Sequence, residues 1–459
     1  MKIESNKNVD IKGKNIVIIG IGRSGAGAGK LAKFLGANVL ISEQKSSSKN
    51  IRLSKKLQSF GIKTELGGHS EKIFNADLWI ISPGVPQNIS IVKTAYKKKI
   101  EIISEIEFAS WYANAQIIAI TGSNGKTTTV NLLFKMCDVK ELAPILGGNI
   151  GTAFSDLVLN DLQNNTENRV YILEISSFQM ERIKYFKPRI SIFLNITEDH
   201  LDRYKGMEDY INAKLNMIQN QDKNDHIVFN LDDEILNKKF NDTLPKKHGF
   251  SLFENPKNMF SADSTKIYDE AYNKLIDLKN IRLPGKHNLS NILAAATAAK
   301  ILGIPNSKIS DTITSFTGVE HRIEKVLNIN GVTYYNDSKA TNVEAVQVAL
   351  DSFVNPINLI LGGKDKGGKF TSLLPHFKNK VKEIIVYGEA ASLIKSALGD
   401  AVKLKIVFSL KDAVETCHTR SKPGDIVLLS PGCASFDQFN NFEERGDVFK
   451  SIVKEIAKS

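Results

Sequence analysis

Apolar residues fall in short, nearly unbroken runs rich in Ile, Val and Leu, each followed by a Gly, Ser or Asp turn and then by a stretch with helical spacing. Strands of parallel sheets read this way, because helices cover both faces and leave no side for polar residues. The first unit is a strand at 15–19, a turn at 20–25, a helix at 26–35 and a second strand at 38–41. A further strand at 78–81 runs into Ser82-Pro83-Gly84, and the pattern breaks near Trp111-Tyr112. A new strand at 117–120 enters TGSNGKTTT and a helix to about 137, followed by strands at 170–173 and 190–194. Residues 256–284 read as polar and irregular, whereas the alanine-rich stretch 287–302 predicts a helix that stops at Gly303 with Pro305 beyond. The last strands, at 332–335, 357–361, 383–387 and 426–429, end in loops of the kind where doubly wound sheets gather ligands. The chain is therefore expected to be α/β throughout, in three domains at 1–112, 113–318 and 319–459.

Length supports that division, since 459 residues exceed what one core ordinarily holds. With 42% hydrophobic and 24% charged residues, the composition is that of a folded chain. A net charge of +11 favours anionic partners. The basic residues are scattered, with no arginine-rich tail or zinc-finger spacing, so phosphorylated small molecules are expected rather than nucleic acid. Cys137, Cys417 and Cys433 lack paired spacing and read as packing residues of a reducing compartment. The polar start MKIESNKNVD and the lack of any long apolar run imply a cytoplasmic protein with no membrane partner.

Thr121-Gly122-Ser123-Asn124-Gly125-Lys126-Thr127-Thr128 lies between a strand and a helix, so its backbone N–H groups can cradle phosphates. Lys126 would neutralise phosphate charge and Thr127 would ligate Mg²⁺. The strict phosphate-loop pattern asks for Gly where Ile120 stands. The glycines of Gly20-x-Gly22-x-x-Gly25, with Glu43 closing the next strand, fit NAD, another phosphorylated nucleoside, or simply a tight turn that packs helix on strand. Glu174 ends one strand, His200 follows another and Lys214 sits on a helix beyond. A carboxylate and an imidazole suit Mg²⁺ beside phosphate, whereas a cationic lysine does not. Each of the three has an ordinary reading as a solvated or hydrogen-bonded residue. In the last domain, NDSKATN at 336–342, Lys366 and Ser435-Phe436 occupy comparable loops, where turn chemistry is the plain alternative to substrate binding. These features predict a Rossmann-like first domain, a central domain like the phosphate-loop ATPases, and a Rossmann-like last domain.

Taken in order, TGSNGKTTT, GGNIG, LEISSFQ, NITEDHLDRY, GKHNLSN, HRIE, NDSKATN, LGGKDKGG and LSPGCASFDQF resemble the Mur ligase family over nearly the whole chain, and in particular its D-glutamate-adding branch. The resemblance implies a carbon–nitrogen ligase of peptidoglycan synthesis that consumes ATP with a pair of Mg²⁺ ions. Its substrates would be UDP-N-acetylmuramoyl-L-alanine and D-glutamate, and it would act as a monomer. It implies that Gly122, Ser123, Asn124, Gly125, Lys126, Thr127, Thr128, Asn149, Asn291, Arg322 and Asp337 hold ATP. Thr127 and Glu174 would serve one metal, and His200 with a carbamylated Lys214 the other. Carbamylation removes the objection to Lys214 by making its amine an anionic oxygen ligand. Lys339, Thr341, Lys366 (or Lys364), Ser435 and Phe436 would hold D-glutamate. In the first domain, Gly22, Arg23 and Ser24 would face the pyrophosphate, Ser42, Glu43 and Gln44 the uracil, and Ser82, Pro83 and Gly84 the sugar. Ser42-Glu43-Gln44 departs from the Asp-Thr-Arg-like triplet expected there.

Three rivals remain open on the residues alone: a nicotinamide oxidoreductase, a non-catalytic ATP-driven switch, and a Mur ligase that adds another amino acid.

Overall fold

The computed structural model describes residues 9–86, 88–199, 203–240, 243–253, 259–271, 273–283, 285–377, 380–399 and 401–458. The chain forms two compact units, Met1–Asn280 with Ser290–Ile313, and Ile281–Leu289 with Thr314–Ser459.

The first unit opens on five parallel strands, β1 (Asn15–Ile19), β2 (Asn38–Glu43), β3 (Lys63–Leu66), β4 (Leu78–Ile81) and β5 (Glu101–Ser104), in the order β3-β2-β1-β4-β5. Strand order reverses between β1 and β4, so the turns that leave them flank the crevice where such sheets bind ligands. A second parallel sheet follows, with β6 (Gln116–Thr121), β7 (Ala143–Gly148), β8 (Arg169–Glu174), β9 (Ile190–Phe193), β10 (His226–Asn230) and β11 (Lys246–Phe250). Its order is β11-β10-β9-β6-β8-β7, which puts β6 between β8 and β9. Every residue of β4 and β9 is buried, the physical source of their nearly unbroken apolar runs, which only Ser191 interrupts.

Three short antiparallel strands, β12 (Phe260–Ala262), β13 (Lys266–Asp269) and β14 (Lys274–Asp277), complete this unit. They correct the expectation of an irregular 256–284 segment. Each strand is too brief to show a period, and burial concentrates on a few residues such as Phe260, Ile267 and Ile276.

The second unit holds a six-stranded sheet built from β15 (Glu324–Ile329), β16 (Val332–Asn336), β17 (Ile357–Gly362), β18 (Val381–Tyr387), β19 (Leu404–Ile406) and β20 (Ile426–Leu429), in the order β15-β16-β20-β17-β18-β19. All its pairs are parallel except the β15–β16 hairpin. That hairpin turns through Asn330 and Gly331 at φ 50° and 82°, the left-handed pair that tight two-residue hairpins need. The sequence reading has β16 but not β15, although Asn-Gly before an apolar run signals it.

Candidate active site

The phosphate loop leaves β6 at Thr121 and feeds the helix Lys126–Met136. Gly125 caps that helix at φ 86°, and a Cβ there would stand 2.2 Å from Oδ1 of Asn291, itself 3% exposed. Asn291 is thus pressed against the loop. The other side of the loop is held from the end of β9, where Asn195 accepts from the Asn124 N–H at 2.9 Å and donates to the Asn124 carbonyl at 3.1 Å. Ser123 donates to the Thr197 carbonyl and accepts from the Thr197 N–H, both at 2.9 Å. Lys126 Nζ curls back to donate to the carbonyls of Gly122 and Ser123, 2.7 Å each. A cation and the positive end of a helix therefore meet at one small loop.

Sheet register brings Glu174, the last residue of β8, opposite Ile120 of β6. Its buried carboxylate accepts from Thr127 Oγ1 at 2.7 Å and from Asn149 Nδ2 at 2.9 Å. A hydroxyl and a carboxylate side by side are the hard oxygen donors that Mg²⁺ prefers, so the donor set fits the expected metal. Lys214 is 2% exposed and donates to the Gly122 carbonyl at 3.0 Å, with its ammonium 4.6 Å from the Tyr210 ring centre. Burial, and then the like charge of Lys126, hold its pKa well below the ordinary lysine value. His200, expected beside it, lies outside the described residues.

At the first sheet, Gly20 and Gly25 make the tight turn: a Cβ on Gly25 would lie 1.9 Å from the Gly20 carbonyl oxygen. Gly22 then caps the helix Arg23–Phe34, with Ser24 in its first turn. The Arg23 guanidinium donates to the Asn149 carbonyl at 2.7 Å, tying this turn to the end of β7. Ser82 Oγ donates to the Gly20 carbonyl at 3.2 Å, so the Ser82–Gly84 loop sits beside the glycine turn. Glu43 accepts from the N–H groups of Ile21 and Lys45. Ser42 is wholly buried, its hydroxyl engaged by Glu65 and His69 at 2.6 Å each.

In the second unit, Asp337 follows β16 and is fully buried. It accepts from Ser430 Oγ at 2.8 Å, from the Ile323 N–H at 3.2 Å and from the Arg322 guanidinium at 3.3 Å. Burial raises its pKa, and Arg322 opposes that rise most strongly. The loops after β16, β17 and β20, three adjacent strands, gather Lys339, Thr341, Lys364, Lys366, Ser435 and Phe436. The link is direct between Lys364 and Ala434, whose backbones exchange hydrogen bonds of 2.8 and 2.9 Å. Lys364, Lys366 and Phe436 are exposed, whereas Ser435 is buried.

Residues 14–104, 120–299 and 321–433 match the MurD-like N-terminal, Mur ligase middle and Mur ligase glutamate ligase domains. A UDP-N-acetylmuramoylalanine–D-glutamate ligase of Chloroherpeton thalassium is 41% identical, covering 97% of this chain and 99% of its own length. One from Bacillus cytotoxicus is 40% identical with the same coverage. The chain belongs to the Mur ligase family. Solved relatives share its fold. A UDP-N-acetylmuramate–alanine ligase from Thermotoga maritima superposes at TM-score 0.61 with 17% identity, covering 96% of this chain and 100% of that one. A MurF ligase from the same organism, solved in complex with ADP, gives 0.59 and 17%, covering 98% of each chain.

This Mur ligase is a carbon–nitrogen ligase, which settles the wider rivals: neither an oxidoreductase nor a bare ATP switch agrees with full-length likeness to ligases. Sequence reasoning missed Asn195, Arg203 and His69. Arg203 forms a two-pronged pair with Glu181, at 2.9 and 2.7 Å, and donates to the Pro83 carbonyl at 2.7 Å. Its position inside NITEDHLDRY was visible, but its target 120 residues upstream was not.

Proposed function

We propose that this Mur ligase joins D-glutamate to UDP-N-acetylmuramoyl-L-alanine in the cytoplasm, converting ATP to ADP and phosphate. Near-full-length likeness to D-glutamate ligases is the observation that carries the reading. The divisions 1–112, 113–318 and 319–459 would serve the UDP-linked substrate, ATP and D-glutamate respectively.

A carboxylate and an amine do not condense in water at neutral pH. The alanyl carboxylate oxygen therefore attacks the γ-phosphorus, ADP leaves, and an acyl phosphate forms. The D-glutamate amine attacks the acyl carbon and loses a proton, and the tetrahedral adduct expels phosphate to leave an amide. Gly122 to Thr128 would hold the phosphates through backbone N–H groups, and Lys126 would exchange its loop carbonyls for phosphate oxygen. Thr127 and Glu174 would hold one Mg²⁺ and His200 with a carbamylated Lys214 another, where bound metal offsets phosphate charge. Asn149, Asn291, Arg322 and Asp337 would place the nucleotide. Lys339, Thr341, Lys366, Ser435 and Phe436 would receive D-glutamate, the cations and hydroxyls addressing its two carboxylates. Gly22, Arg23 and Ser24 would face the pyrophosphate, Glu43 and, from beneath through the residues that cover it, Ser42 would form the uracil side, and Ser82, Pro83 and Gly84 the sugar end.

The test is phosphate release from ATP with UDP-N-acetylmuramoyl-L-alanine and, separately, D-glutamate, L-glutamate, L-lysine or meso-diaminopimelate, with products weighed by mass spectrometry. Adduct with D-glutamate alone is expected. Adduct only with another amino acid would overturn the acceptor assignment.

A further inference from the structure

Ser42 closes β2 where the uracil side of the substrate is proposed, yet it offers that substrate nothing. It is 0% exposed and its hydroxyl is already engaged twice. Register sets Ser42 opposite Glu65 on β3, and the Gly67–Gly68 turn folds back so that both N–H groups reach the Glu43 carbonyl, at 3.0 and 3.4 Å. This fold-back brings half-buried His69 onto Ser42, with Nδ1 2.6 Å from Oγ.

The direction of each hydrogen bond then follows from its partners. Glu65 is an acceptor, its pKa lowered with the Ser42 and Ser70 hydroxyls donating to it against the cost of burial. Its Oε1 lies 2.6 Å from Ser42 Oγ, so the single hydroxyl proton of Ser42 points at Glu65. The Ser42 oxygen is left only to accept, so His69 Nδ1 must carry the proton and donate. Burial keeps the imidazole neutral at physiological pH, against the raising pull of Glu65 and Glu43. A neutral imidazole with its proton on Nδ1 has a lone pair on Nε2. Among the described residues, Nε2 makes no hydrogen bond.

We infer that His69 is the base-reading residue of this enzyme, its Nε2 accepting the N3–H of uracil, with Glu65 and Ser42 holding the imidazole in the tautomer that can do so. Cytosine has a bare lone pair at N3 and meets the Nε2 lone pair with repulsion, so the relay also sets specificity. The location agrees with the glycine turn of β1, since a pyrophosphate at the N-terminus of the helix Arg23–Phe34 sends the nucleoside toward the ends of β2 and β3. The inference rests on the proposal that this sheet binds the UDP-linked substrate.

Calorimetric titration of the full-length enzyme at pH 8 with UDP, CDP and N3-methyl-UDP tests it, with thermal melting to confirm that each variant is folded. The wild type should bind UDP and discriminate against the other two. His69→Ala should lose about tenfold in UDP affinity and leave CDP nearly unchanged, so that the preference collapses. Ser42→Ala keeps the imidazole but frees its tautomer, and should narrow the UDP-to-CDP ratio, which a merely structural role would leave alone. A folded His69→Ala enzyme with the wild-type ratio would overturn the assignment while leaving the UDP site in place. A wild type that binds no UDP would instead remove the substrate proposal beneath it.

Discussion

Gly125 shows how little latitude the phosphate loop has. Its φ of 86° disfavours any side chain, and an added Cβ would meet the Asn291 amide at 2.2 Å. Gly125→Ala should therefore cost ATP binding at least tenfold, read by nucleotide titration, while the fold survives because the clash is confined to one loop. Lys214 invites a different test. If carbamate is its working form, Lys214→Ala should lose most ligation and regain part of it with added short carboxylates, and intact activity would exclude the residue from the site. Glu105 is buried, accepts from the Ser155 N–H at 2.6 Å, and has its pKa pushed up to about 7 by burial. The folded state therefore takes up a proton between pH 4.5 and about 7, and stability falls as pH rises through that window. Glu105→Gln should match the wild type near pH 4.5 and exceed it by about 3 kcal/mol at pH 8, measured by urea unfolding. The local motif was legible in the sequence because its chemistry lies within consecutive residues. Asn195 and His69 were not, since each acts across neighbouring strands.

Directly after β5, with Ser104 as its cap, the short helix Glu105–Ser110 does more than its length suggests. Glu107, fully buried, accepts from the backbone N–H groups of Lys184, Tyr185 and Phe186 at 2.8–3.0 Å and from the Trp111 indole at 2.6 Å. One carboxylate thus satisfies three N–H groups of a loop about 78 residues away in sequence. Glu107→Ala leaves those donors unpaired in the interior and should destabilise the first unit by roughly 3 kcal/mol or more, seen as a lower urea midpoint. This nest did not announce itself in the residue pattern, and the edge strand β15 did so only through the Asn330-Gly331 turn that ends it. A buried glutamate looks like a surface one until its donors are known, and β15 is half solvated along its length.

Within the first unit the two parallel sheets are joined by specific contacts. The helix Arg23–Phe34 meets the helix Phe154–Asn164 through Gly27, whose added Cβ would lie 3.2 Å from that of Ala153, and Lys30 pairs with Asp156 at 2.5 Å. Arg203 adds a clamp, stacked 4.2 Å over Phe178 while it holds the Pro83 carbonyl. Arg203→Ala should raise KM for the UDP-linked substrate about tenfold with a smaller effect on KM for ATP, because the loop it releases belongs to the first sheet. Steady-state kinetics with each substrate varied in turn decides it. The sequence by itself determined the α/β class, the phosphate loop, the order of motifs and the family, because each is carried by residues close together along the chain. Tertiary structure alone decided which strand ends are neighbours, hence that Glu174 meets Thr127 and Asn149, that Arg203 reaches Pro83, and that Ser42 is covered by His69. Parallel sheets pair strands through long crossovers, so contacts between their loops depend on strand order and register, and no short-range spacing in the chain encodes either.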